Sequence, residues 1–439
     1  MGFGHLALAL VLSAAEPAPH SPPSRPVAAP AAPETDLAAF GRLRAEGVAA
    51  YRAGDLPTAA ARLAEAERHL PNHPGVMRLR SRIAAARGDL PEALAQLDRY
   101  ARAGLTLDVA AEPVLAAAAD TPGHAEVLAR LQANTAPVGA DRLSVVAAVP
   151  GSGLVESLVR DTSRGRWLVS RVAGRDIQAL DDTGRLTAFL TPSPAIEGVF
   201  GLALDASAAL IWAATNPAPP AAHGRETPGP AAVLAIDART GEVRSTVPLP
   251  PSERPRGVGD ILRTRDGRLY VSDGLTGEVF DLDPTSGALG LFIAPGVLGS
   301  PQGLIETPDG RNLIIADYSS GLWLVPRSGE APRRLVAPDT AVLIGIDGLI
   351  TDGTAVYTLQ NGVAPQRVLK LVLDETWTRI DRVEVLAANL PELDEPTTGV
   401  IFENDLVFVA RSQWSDFESD GKLKTQEPAA ALVARLRLN

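Results

Sequence analysis

The sequence predicts a mainly β protein with an α-helical N-terminal part: a six-bladed β-propeller preceded by short helical repeats. Three observations carry this. A turn-and-strand phrase recurs six times beyond about residue 143. A 34-residue repeat of small and bulky residues comes before it. The 439-residue chain is 46% hydrophobic but only 4% aromatic, so it folds, and its core is packed largely by small and aliphatic side chains.

Met1 to Ala15 reads MGFGHLALALVLSAA, a short apolar core ending in small residues, with Ser13 and Ala15 placed like a signal-peptidase pair. No Lys or Arg precedes the apolar run. Residues 1–15 are therefore a candidate signal peptide, which would make the protein periplasmic or secreted. If the stretch is not a signal, the chain is cytoplasmic. Residues 16–35 are rich in Pro and Ala with no apolar period, the composition of an extended linker. No other stretch is long and apolar enough to span a bilayer.

Residues 36–135 read as a helical domain. Gly54-Asp55-Leu56-Pro57 returns as Gly88-Asp89-Leu90-Pro91, Ala59 as Ala93 and Leu63 as Leu97, each 34 residues on. Small residues at helix crossings on that period mark stacked helix–turn–helix units. The pattern, with Gly47, Ala50, Tyr51, Ala66 and Pro71, resembles a tetratricopeptide repeat. Residues 107–133 add one or two further helices, with a cap around His124 to Ala133. Two repeats form a poor peptide groove, so a spacer packed on the next domain stands beside peptide recognition as a reading.

Residues 143–439 read as the propeller. The phrases span 158–171, 202–215, 261–273, 304–317, 349–360 and 400–411, with turn anchors Asp161, Asp205, Asp266, Asp309, Asp352 and Asn404. Anchor spacings of 44, 61, 43, 43 and 52 residues suit blades of several short strands. The longest step contains an insertion, residues 216–230, which is either a lid or surface decoration. Leu143–Val149 precedes the first phrase, and pairing this first strand with the last blade closes the ring and hides the edges.

Six blades with these phrases resemble the superfamily of senescence marker protein, gluconolactonase and luciferin-regenerating enzyme. The resemblance covers roughly the last two-thirds of the chain. It implies a divalent metal on the propeller axis, held by a Glu in the first blade, Asn in the third and fourth, and Asp in the fifth. Glu156-Ser157-Leu158-Val159-Arg160 resembles the family's Glu-Ser-Pro-Val-Trp, and Asp347-Gly348 its Asp-Gly. Gln302-Gly303 stands for Asn-Gly, one methylene longer, and Gly259-Asp260 for Asn-Asp, without the Asn. The implied axial set is thus Glu156, Asp260, Gln302 and Asp347, hard oxygen ligands suited to Ca²⁺, with Mg²⁺, Mn²⁺ or Zn²⁺ as other candidates. The implied activity is hydrolysis of sugar lactones and related esters, with Asp347 the candidate catalytic carboxylate.

A second metal pattern lies in the last blade. Asp416, Glu418, Asp420, Gly421 and Glu427 follow the spacing of a wrapped Ca²⁺ loop, with Glu at its third position. The alternative is a solvated acidic hairpin. Trp414 and Phe417 bracket the loop, in a sugar-stacking or a core role.

Composition excludes other classes. A formal charge of -11 with no basic run argues against a nucleic-acid partner. The absence of cysteine removes disulfides, thiolate metal sites and cysteine nucleophiles. No P-loop, dinucleotide fingerprint or Gly-x-Ser-x-Gly elbow occurs. Two functions stay open: an exported scaffold binding a protein partner or a sugar-lactone-like ligand, and a metal-dependent lactone or ester hydrolase.

Overall fold

The computed structural model describes residues 34–438. The signal and most of the linker expected for residues 1–35 lie outside the described residues.

Helices α1 (Asp36–Arg52) and α2 (Leu56–His69) form one hairpin, and α3 (Pro74–Ala86) and α4 (Leu90–Arg102) a second. The repeated Asp is an N-cap in both: Asp55 accepts from the Thr58 amide and Asp89 from the Glu92 amide. Small residues permit close helix crossing; a Cβ at Gly47 would meet Leu63 Cγ at 2.8 Å. Ala59, Leu63, Ala93 and Leu97 are fully buried. Two shorter helices, α5 (Pro113–Ala117) and α6 (His124–Ala133), complete this layer.

The remainder is a six-bladed β-propeller of four-stranded antiparallel sheets. The inner strands, in blade order, are Val155–Asp161, Gly198–Asp205, Val258–Arg263, Pro301–Glu306, Ile346–Thr351 and Gly399–Phe402. The outermost strand of the sixth blade is Leu143–Val149, which pairs with Ala431–Arg437 and so joins the two ends of the propeller. The core lies between blades. Val159, Leu168 and Ile177 of the first blade meet Leu202, Ile211 and Leu234 of the second, and Ala213 fills the narrow gaps. A sequence poor in aromatics packs in this way because sheets radiating from an axis leave little room near it.

The helices are docked on the propeller. Val342 and Ile344 join the apolar core of α3–α6. Buried Arg367 donates to the Ala103 carbonyl at 2.8 Å and to Gln360 Oε1 at 2.6 Å. Asn389 Nδ2 donates to the Asn134 carbonyl at 2.9 Å. The docked segment continues into the axial face, where the Gly345 amide donates to the Tyr318 carbonyl at 2.7 Å and the Gly362 amide to the Gly345 carbonyl at 3.0 Å.

Candidate functional site in the axial cavity

Five inner strands share one irregularity. Each carries one extra residue against its neighbour, within Val155–Leu158, Val199–Leu202, Val258–Ile261, Pro301–Leu304 and Ile346–Leu349. A β-bulge turns a side chain out of the regular alternation. Here it turns Glu156, Phe200, Gln302 and Asp347 into a single axial cavity of about 830 Å³, where the fifth equivalent position is Gly259. The residue after each faces the next blade. A Cβ at Gly303 would stand 2.5 Å from the Leu349 amide nitrogen, and one at Gly348 2.2 Å from the Thr397 carbonyl oxygen. The glycine of the Gln-Gly and Asp-Gly pairs is therefore fixed by close approach of neighbouring backbones.

The four axial residues expected from the sequence do not share one chamber. Glu156, Gln302 and Asp347 line the cavity, but Asp260 lines a second chamber of about 460 Å³ with Leu158, Leu262 and Leu304. The reason is the bulge itself, in which Gly259 takes the cavity-facing position and Asp260 the following one. The space over Gly259 is not empty. Gln302 Oε1 lies 3.4 Å from where a Cβ on Gly259 would sit, and Gln302 Nε2 donates to Ser300 Oγ at 3.1 Å. The longer amide of the fourth blade thus leans over the glycine of the third, so Gln302 and Gly259 are spatially linked.

The carboxyls on the axis are electrostatically uncompensated. Burial pushes Glu156 well above the usual carboxylate range, and the charge of Asp347 adds to it, against a 2.8 Å hydrogen bond from Trp414 Nε1 to Glu156 Oε2. Burial and the charge of Asp260 push Asp347 up to about 8, against a 2.7 Å bond from Asn361 Nδ2 to its Oδ2. Burial alone pushes Asp260 up to about 7. The cavity's one cation among the described residues, Arg256, is held by Asp273 Oδ2 at 2.9 Å and Glu278 Oε2 at 2.6 Å.

The insertion is a wall of the cavity. Pro217, Ala218, Pro219 and Ala222 line it, the last two within a short helix, Pro219–Ala222. Ala221 packs with Leu154, Val172 and Phe200, against Trp414 and Phe417. The acidic hairpin braces this wall from outside: His223 Nδ1 donates to the Asp420 carbonyl at 3.3 Å, and Gly421 lies directly against Pro219. Within the hairpin, Phe417 pairs with Leu423 and Asp420 Oδ1 accepts from the Lys422 amide at 3.0 Å. Glu418, Asp420 and Glu427 are exposed and Asp416 is half-buried. Among the described residues, no three His, Cys, Asp or Glu side chains stand close enough together to hold a metal ion, in the hairpin or on the axis.

Several cavity residues carry no mark in the repeat phrases. Asn361 and Tyr318 follow the second strands of their blades, and Glu395 precedes the last inner strand. An Asn-Gly at 361–362 is an ordinary turn signal, and Glu395 sits in no repeated motif.

No family model matches the chain, and no curated protein matches it. Solved structures do resemble it. It is similar to a gluconolactonase from Xanthomonas campestris, at 16% identity over 69% of this chain and 91% of that one, with a TM-score of 0.46. It is similar to the calcium-binding protein regucalcin from Agrobacterium tumefaciens, at 15% identity over 66% and 92%, with a TM-score of 0.47. A putative oxidoreductase (glucose dehydrogenase) from Thermus thermophilus is 20% identical over 67% and 99%, with a TM-score of 0.48.

Proposed function

We propose that this chain is an exported binding protein that takes a small, sugar-lactone-like molecule in the axial cavity. The supporting observation is the convergence of Glu156, Gln302, Asp347 and Asn361 on one cavity of about 830 Å³ with apolar and aromatic walls. A few directed polar groups in an otherwise apolar hollow of this size suit a small organic ligand. Export rests on Met1 to Ala15 alone, and N-terminal sequencing of the mature protein tests it.

A divalent cation fits the donor chemistry of this cavity. Among the described residues, buried Asn361 Oδ1 has no hydrogen-bond partner, and no free cation lines the cavity beside Glu156 or Asp347. Glu156 and Asp347, with the amide oxygens of Gln302 and Asn361, would hold the ion, and water would complete its shell. Asp260 is not part of that set. When bound, the ion would offset the carboxylates and polarise a ligand carbonyl. Calorimetric titration with a sugar lactone, with and without Ca²⁺, tests the reading. Binding is expected to weaken by about tenfold or more in Asp347→Asn and in Glu156→Gln. Lack of binding under every metal condition, or unchanged binding in both variants, overturns it.

The hydrolase reading is favoured by one observation. A carboxyl held up to about 8 in a ligand-sized cavity is basic enough to take a proton from water near neutral pH. Lactone hydrolysis that disappears in Asp347→Asn supports it. Binding without turnover leaves the scaffold function.

A further inference from the structure

Glu395 stands apart from the rest of the cavity. Its φ of 54° places a non-glycine residue in the left-handed region. Its amide donates to Gln366 Oε1 at 2.6 Å, which ties the backbone down. The Ser415 amide bonds the carboxylate, while Glu395 Oε2 is buried without a hydrogen-bond partner. The nearby Lys424 does not line the cavity, and its Nζ donates to the Ser415 carbonyl at 2.8 Å. A buried carboxylate oxygen with no donor is costly unless something supplies one.

The walls beside it are aromatic. Trp414 and Phe200 face each other with ring centroids 6.2 Å apart, and Tyr318 lines the same cavity. Leu275 adds a further apolar surface. With Glu156 and Asp347, Glu395 makes three acidic side chains around a hollow whose one cation among the described residues is already paired twice.

We propose that Glu395 is a ligand-binding residue and that the molecule it recognises carries an organic ammonium group, held between the Glu395 carboxylate and the aromatic wall that includes Trp414. An ammonium supplies the missing donor to Oε2, offsets the Glu395 charge and is attracted to an aromatic face. A bare divalent ion satisfies the charge but gains nothing from the aromatic wall. The inference rests on the axial cavity being the binding site, and it assigns the ligand a charge that the site reading leaves open.

The test uses 2-phenylethylamine and its neutral counterpart 2-phenylethanol as probes, titrated calorimetrically into the full chain at pH 7.5, where the amine is cationic. The amine is expected to bind about tenfold more tightly than the alcohol, and the preference is expected to vanish in Glu395→Gln. Trp414→Phe is expected to abolish most of the amine-induced change in tryptophan fluorescence while the protein stays folded. Equal binding of the two probes overturns the proposal, as does a preference that persists in Glu395→Gln. Failure of both probes also overturns it; if a sugar lactone still binds and Asp347→Asn still blocks it, the site reading survives alone. Ca²⁺ binding that is unchanged in Glu395→Gln beside a lost amine preference separates the ammonium position from the metal position.

Discussion

Two sets of carboxylates run around this propeller, and they are treated in opposite ways. The first sits in the turn between the first two strands of successive blades. Asp205 accepts from Ser207 Oγ at 2.6 Å and from the Ser207 and Ala208 amides; Asp352 accepts from Thr354 Oγ1, Tyr357 Oη and two amides. Burial pushes both carboxyls up, but these hydrogen bonds outweigh it and hold them below the usual range. The second set, Glu156, Asp347, Asp260 and Glu395, has few donors, and burial leaves every member raised. The first set is satisfied by the chain itself. The second is not, and the proposed binding role rests on that difference.

The largest effect should come from removing a satisfied carboxylate. Asp205→Ala frees two amides and leaves Arg263, whose Nε lies 2.9 Å from Asp205 Oδ2, without its counter-charge. It should cost about 2 kcal/mol in urea unfolding at pH 7. Asp347→Asn should cost nothing at the same pH, because a carboxyl held up to about 8 is mostly protonated there and the amide keeps its shape. If Asp347→Asn destabilises as much as Asp205→Ala, the contrast between the two sets is lost.

The pH dependence sharpens the same contrast. In the folded protein Asp347 and Asp260 keep their protons up to about 8 and about 7, whereas ordinary aspartate loses its proton near 3.8. The folded state therefore holds more protons between those limits, and stability should fall as pH rises through that window. The ligand-free protein should melt a few degrees lower (about 3–5 °C) at pH 8.5 than at pH 5. Asp347→Asn should flatten the slope, as should saturating Ca²⁺ if the axial carboxylates bind it. A slope of the opposite sign would mean that the axial carboxyls are already compensated.

Gly421 tests how the cavity wall is held. Its φ is 83°, and an added Cβ would collide with the Pro219 carbonyl. Gly421→Ala should cost about 1 kcal/mol and should speed ligand release by separating hairpin from insertion. Stopped-flow dissociation measures this, and an unchanged off-rate would show that the wall stands without its brace.

The first set of carboxylates was readable in the sequence because repetition exposes it. Six turns at near-regular spacing betray a blade whether or not any one of them is functional, and the helical hairpins were readable for the same reason through Asp55 and Asp89. The cavity was readable only in part. Glu156, Gln302 and Asp347 could be placed because each belongs to a short motif, Glu-Ser, Gln-Gly or Asp-Gly, that stands just ahead of an aligned phrase. Asp260 lines the neighbouring chamber, close enough for its charge to act on Glu156 and Asp347, because a bulge reverses the facing of adjacent residues, and sequence alone does not say which of Gly259 and Asp260 takes the cavity position. Asn361, Tyr318 and Glu395 lie on connecting segments of differing length, where no period operates. The insertion at 216–230 was visible as a break in spacing, but its place as a wall depends on contacts with Leu154 and Trp414, which are far away in sequence.

The smallest expected effect belongs to the acidic hairpin, and it separates a wrapped calcium loop from a brace. Glu418 and Glu427 are exposed, and Glu418 closes the turn through its backbone, donating to the Lys422 carbonyl at 2.8 Å and accepting from the Gly421 amide at 2.9 Å. Their side chains contribute little to that turn, so Glu418→Gln and Glu427→Gln should each change stability by less than about 0.5 kcal/mol. A calcium loop would lose its ion with either substitution, since the distant Glu supplies the closing ligand. If the melting temperature of wild-type protein rises with Ca²⁺ and both variants keep that rise, the ion sits on the axis with Asp347 and the hairpin is a brace. If Glu427→Gln alone abolishes the rise, the calcium belongs to the hairpin, and the axial carboxylates await an organic ligand instead.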